Sequence, residues 1–373
     1  IIAEDVMKQH FRDYTGGLYL RPEVEVVADE GRSYIRSSSQ RYDSIQATLV
    51  DTWAATAAGA FTLSENTLYT REAFRDYLEH LSPRGVLTMT RWTTRPPREF
   101  LRLLVLGRAA LEDFGVAGDQ QRRHFYVAAD ARMATFLLKR TPLTAEEVER
   151  LDRYVQQSGL RRLYSPFGDD RNPYAAFLEQ ADWQQRVAAA ALDLSPPSDD
   201  RPFFFYTVKP AHALSVIDDW RRLTRDNLGL LILLILLGLV LTLVVLFFVL
   251  PLFVFRRDVL RGDRLGKARF LAYFVALGAG FITVEIALMQ KFILFLGHPT
   301  YALVVVLFAL LIFSGIGSYR CRNIAVERIT ATIVRNLLFL AGLVLLYLFL
   351  LSPLFDALVT LPRVVRIPLA VLL

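Results

Sequence analysis

From Leu228 to Phe255 the chain runs 28 residues without a charged side chain. As a helix this run is about 42 Å long, enough to cross a bilayer with tilt and too short to cross it twice. Phe270–Met289 reads as a second span holding one acid, Glu285. Tyr301–Ile316 begins a third, Asn336–Leu354 makes a fourth, and Ile367–Leu373 starts a fifth. Residues 228–373 therefore read as an all-α transmembrane bundle. Charge supports this. Residues 228–373 hold 13 Lys and Arg against 5 Asp and Glu, whereas residues 1–227 hold 30 against 32. The basic excess lies beside apolar runs, as membrane flanks require, so no nucleic-acid partner is expected. With 53% hydrophobic residues, a disordered chain is excluded. One cysteine, Cys321, excludes an intramolecular disulfide framework and any multi-cysteine metal centre, and no metal is expected.

Residues 1–140 have a different pattern. Val24–Val27, Ser44–Val50, Val86–Thr90 and Phe125–Ala128 are short β-type runs. Helical patterns alternate with them at Arg71–His80 and Arg98–Phe114, which predicts a parallel α/β sheet. HFYVAAD and ATFLLKR stand a few residues apart, a spacing that permits only an antiparallel hairpin. A parallel sheet closed by such a hairpin is similar to the strand arrangement of S-adenosylmethionine-type methyltransferase folds. Residues 141–227 read as a helical extension and linker. Thr144 and Glu147 have capping-box spacing and start a helix to about Gln157. A Gly/Pro/Asp-rich loop and one more helix, to about Leu192, follow.

Two acidic positions stand where a strand would deliver them to a ligand crevice. Asp29-Glu30-Gly31 follows Val24–Val27, suited to a ribose or an adenine amine, or to a solvated turn. Asp51 follows the run ending at Val50, suited to catalysis, amine binding or local capping.

DEGRSY (29–34), YDSIQ (42–46), LYTREAF (68–74) and LSPRGVLTMTRW (81–92) together resemble the spermidine synthase (aminopropyltransferase) domain. With SDDRPFFF (198–205), TVEIALMQKF (283–292), LGHPTYAL (296–303) and SGIGS (314–318), the chain resembles bacterial multi-pass membrane proteins carrying such a domain. The resemblance implies a Rossmann-like fold and S-adenosylmethionine or its decarboxylated form as substrate. It also implies an amine or other small-molecule acceptor, and a place in the bacterial inner membrane. Glu30-Gly31 takes the position of the family's adenine-binding Asp-Gly pair. The family's D-x-x-D-P run aligns with Thr48-Leu49-Val50-Asp51-Thr52, so Asp51 is the catalytic candidate and Thr48 replaces the expected first acid. A threonine cannot act as the general base that frees an amine nucleophile. The other reading is a catalytically degenerate, ligand-sensing domain regulating a transporter-like bundle.

In the membrane half, Glu285, Gln290, Lys291 and His298 are the functional candidates. An ionisable group inside a span is costly, so Glu285 suggests a transport or proton site, or an interhelical bond. Lys291, six residues on and about 240° round the helix, cannot share its face. His298 stands in the turn before the third span, as a switch or a plain loop residue. Ser314–Ser318 suits close helix packing. Loops 256–269 and 319–335 carry ten basic residues on one side against six on the other. The positive-inside rule then puts the α/β domain outside, whereas its cofactor is made in the cytosol and favours the cytoplasmic side. The chain opens at Ile1 within an amphipathic pattern and closes within IPLAVLL, seven residues past Arg366. It reads as a piece of a longer protein, with the cofactor's glycine-rich turn upstream and the last span cut.

Overall fold

The computed structural model describes residues 6–27, 29–50, 65–94, 97–209, 228–255, 264–322 and 324–373. In chain order its main elements are α1 (Gly31–Ser37), β1 (Tyr42–Thr48), α2 (Arg71–His80), β2 (Leu81–Trp92), α3 (Glu99–Asp113), β3 (Phe125–Ala129), β4 (Met133–Lys139), α4 (Ala145–Gln157), β5 (Arg161–Tyr164), α5 (Pro173–Glu179), α6 (Trp183–Ala189), α7 (Leu228–Val244), α8 (Arg264–Leu296), α9 (Pro299–Cys321), α10 (Ile329–Leu358) and α11 (Arg363–Leu372). They group into two compact units, residues 39–271 and residues 1–38 with 272–373.

The first unit holds a mixed sheet of order β1-β2-β4-β3-β5. β1 runs parallel to β2, with Ser44 opposite Val86 and Thr48 opposite Thr90. The expected hairpin is present. β3 and β4 pair antiparallel, and β4 inserts between β2 and β3. Asp130 makes the turn, its Oδ1 accepting from the backbone N–H of Arg132 and Met133 at 2.6 and 2.7 Å. Among the described residues the sheet has one parallel pair, fewer than the sequence pattern predicts. Val24–Val27 is not a strand. It follows a turn closed by Val24 N–H on Arg21 O, joins no ladder and leaves Val27 45% exposed. Four β-prone residues without a neighbouring strand have nothing to pair with. The fifth strand, Arg161–Tyr164, lies on β3 instead.

Local chemistry explains the helices. Thr70 caps α2, accepting from Ala73 N–H at 3.1 Å, and Phe74, Tyr77 and Leu78 turn inward. The capping box at Thr144 is formed, and Glu147 has a second use. Both its carboxylate oxygens meet Lys139 Nζ at 2.7 Å. α3 is buried at every residue from Phe100 to Leu111. Gly107 lets it approach β3, since a Cβ there would sit 3.0 Å from the Phe125 ring. The single helix expected before Leu192 is two, α5 and α6, because the carbonyls of Phe177 and Gln180 turn to the Arg108 guanidinium at 2.7 and 2.8 Å.

His124 donates from Nδ1 to the Lys139 carbonyl at 2.9 Å and is 2% exposed. Burial pushes its pKa down. The hydrogen bond opposes this, and the nearby Lys139 charge adds to it. A histidine held below its unfolded value of roughly 6.5 contributes stability that is present above that pH and lost as the pH falls. Urea midpoints read by tryptophan fluorescence should be lower at acidic than at neutral pH. His124→Gln should shrink that difference.

Among the described residues four helices are long and apolar enough to cross a membrane, namely α8, α9 and α10, and α7 with its continuation to Val249. The chain has a membrane-embedded region. α7 continues through a π-turn at Val245–Val249 to Phe255. Phe292, Phe295, Val306 and Phe355 centre the helical core, with Phe295 and Phe355 stacked at 4.2 Å.

Candidate functional site

Asp29-Glu30-Gly31 belongs to the helical unit, not to a sheet edge. Glu30 is the N-cap of α1, its Oε1 accepting from Arg32 N–H at 3.1 Å and its Oε2 from Ser33 N–H at 2.7 Å. Glu30 N–H donates to Asp29 Oδ1 at 2.9 Å and to the Gly297 carbonyl at 3.1 Å. Gly297 forms the turn between α8 and α9 at φ +77°. A Cβ there would lie 2.7 Å from Asp29 Oδ1. Ser33 Oγ donates to Leu294 O at 3.2 Å, and Arg36 pairs with Asp356. The expected adenine-binding acid therefore docks α1 onto a turn between two long apolar helices.

Thr48 ends β1. Its hydroxyl accepts from Gln46 Nε2 at 3.2 Å, and its side chain is exposed. Leu49 then takes a left-handed conformation, φ 49°, and its N–H reaches Thr90 O at 3.4 Å. That turn leads the chain off the carboxyl ends of β1 and β2, where ligands of open α/β sheets bind. Asp51 lies outside the described residues.

The structure brings together two motifs about 130 residues apart, LYTREAF and SDDRPFFF. Thr70 Oγ1 donates to Asp199 Oδ1 at 2.7 Å, and Asp199 N–H donates to Glu72 Oε2 at 3.0 Å. Arg71 N–H meets Pro197 O at 2.9 Å, and Asn66 N–H meets Pro202 O at 2.8 Å. Beneath them Arg102 gathers four backbone carbonyls. Its Nε donates to Ser195 O at 2.9 Å, and its Nη1 donates to Phe203, Phe204 and Tyr206 O at 2.9, 2.6 and 2.7 Å. Burial lowers its pKa to about 10, so it stays charged at neutral pH. Arg91 lies over the rings of Tyr69 and Phe205, 5.2 and 4.6 Å from their centroids, and pairs with Glu99 at 3.3 Å. Arginines within apolar, β-type or helical runs were the sequence signal for this clasp, but periodicity alone assigns them to a solvated face.

In the helical unit His298 is the N-cap of α9, its Nδ1 accepting from Thr300 N–H at 3.1 Å. Gln290 and Lys291 lie in the last two turns of α8 and are half-buried. Glu285 faces a cavity of about 470 Å³ whose lining does not include Lys291. Among the described residues no three His, Cys, Asp or Glu side chains are placed to hold a metal ion. No family model and no curated protein matches the chain.

Proposed function

We propose that this chain is a membrane-anchored, spermidine synthase-like protein. On this reading its Rossmann-like domain binds S-adenosylmethionine or its decarboxylated form and transfers an aminopropyl or methyl group to an acceptor amine. The observation that carries the reading is the sheet, in which parallel β1 and β2 are followed by antiparallel β4 inserted before β3. That order resembles the closing half of a methyltransferase-type sheet, with β5 added beyond β3, and the turn at Leu49 leaves it at the carboxyl edge. Transfer breaks the sulfonium C–S bond and forms a C–N bond, and Asp51 takes the proton from the attacking amine. A cytosolic cofactor places the domain on the cytoplasmic side of a bacterial inner membrane.

One observation favours the second reading, a ligand-sensing domain without catalysis. Both Glu30 oxygens are committed to capping α1, which is docked on the Gly297 turn between two spans. Calorimetric titration of the full chain in nanodiscs with S-adenosylmethionine, its decarboxylated form and methylthioadenosine separates the two. Micromolar binding, with transfer lost in Asp51→Asn, supports the transferase. Binding without transfer to any amine supports the sensor. No binding of the three overturns both. Glu30→Ser keeps a cap oxygen and removes the carboxylate. It should weaken binding at least tenfold if Glu30 holds the adenine, and should leave binding unchanged if Glu30 only caps α1.

A further inference from the structure

Seven residues of α8, Tyr273, Ala276, Leu277, Gly280, Phe281, Val284 and Glu285, recur at three- and four-residue spacing and so share one helix face. They form one wall of the 470 Å³ cavity, and Leu310 of α9 with Leu337 and Leu340 of α10 form the other. The volume lies in the range of small-molecule sites. Tyr273 and Glu285 are the only polar side chains in this lining. Glu285 is half-buried and has no hydrogen-bond or ion-pair partner among the described residues. A lone carboxylate in an apolar lining is complemented by a cation brought from outside the helix.

We infer that this cavity binds an amphiphile carrying a single protonated amine, with its hydrocarbon along the apolar wall and its ammonium on the Glu285 carboxylate. The charge balance sets the ligand class. One carboxylate in an otherwise uncharged lining matches one cation, whereas a polyamine would leave further charges buried without partners. An alkanol or a neutral lipid would leave the carboxylate without a counter-ion. The inference concerns the helical unit alone and does not rest on the transferase reading.

The test uses the full chain in phosphatidylcholine nanodiscs and two photoreactive dodecyl probes, one a primary amine and one an alcohol, with labelled residues mapped by mass spectrometry. The amine should label α8 around Gly280–Glu285 and be displaced by dodecylamine at least tenfold more effectively than by dodecanol. Glu285→Gln should lower amine labelling at least tenfold and leave alcohol labelling unchanged. Gly280→Leu offers a second route if that variant misfolds. A Cβ at Gly280 meets nothing within 4 Å, so a leucine side chain can start from there into the cavity, and labelling by both probes should fall. Equal labelling of wild type and Glu285→Gln by the amine, or equal displacement by amine and alcohol, would overturn the inference. So would a cavity that neither probe reaches because another helix of the chain fills it.

Discussion

Arg102→Leu should destabilise the α/β unit by about 3–5 kcal/mol, the upper range for a single substitution. The leucine fills much of the space but donates nothing. The carbonyls of Ser195, Phe203, Phe204 and Tyr206 would stay in a buried setting without the donors they now share. Each unsatisfied buried acceptor costs about 1–3 kcal/mol, and the four costs do not simply add because the segment can loosen. Arg102→Lys should recover part of the loss, since one ammonium reaches fewer carbonyls than a planar guanidinium. Trp53, Trp92, Trp183 and Trp220, the four tryptophans of the chain, all lie within residues 39–271. Urea unfolding followed by their fluorescence therefore reads this unit. A midpoint within experimental error of wild type would mean that something other than Arg102 orders residues 195–206.

Gly297→Val should have the second large effect, confined to the other unit. A β-branched residue at φ +77° costs about 1–3 kcal/mol in backbone strain alone. Its Cβ would also meet Asp29 Oδ1 at 2.7 Å, which displaces the acid that holds the start of α1. Hydrogen exchange should rise by about tenfold or more across residues 29–37, while the tryptophan-detected midpoint stays where it was. Unchanged protection of these amides would show that α1 is held by Ser33 and Arg36 without the Asp29–Gly297 contact.

Features with a strong local cause were legible in the sequence. The α2 pattern, the Thr144 capping box and the short-looped hairpin each declare themselves within a few residues, and the structure has them at nearly the expected bounds, while the apolar runs sit inside helices that extend up to seven residues beyond them. What needed tertiary information was not legible. β5 reads Arg-Arg-Leu-Tyr, and its pairing is set by β3 rather than by its own alternation. The break after α5 has no glycine or proline to announce it, because a distant arginine causes it. Glu30 looked like a strand-end acid because Val24–Val27 is β-prone. Glutamate is also an unusual N-cap, so its use on α1 left no signal. At the candidate site, sequence placed Thr48 within the run Ser44–Val50, which the structure ends at Thr48, and Glu285 inside a span, but it could not show that Glu285 opens onto an apolar cavity.

The clasp around Arg102 has a mechanical consequence. Residues 195–206 lie between the sheet and α7, so a pull arriving along the chain from α7 reaches this segment before the sheet. Its attachments to one guanidinium are loaded side by side and must rupture together, whereas a strand at an open edge could be peeled one bond at a time. Tension arriving from α7 would thus be borne first by α3, buried from Phe100 to Leu111, rather than by the exposed margin of the sheet.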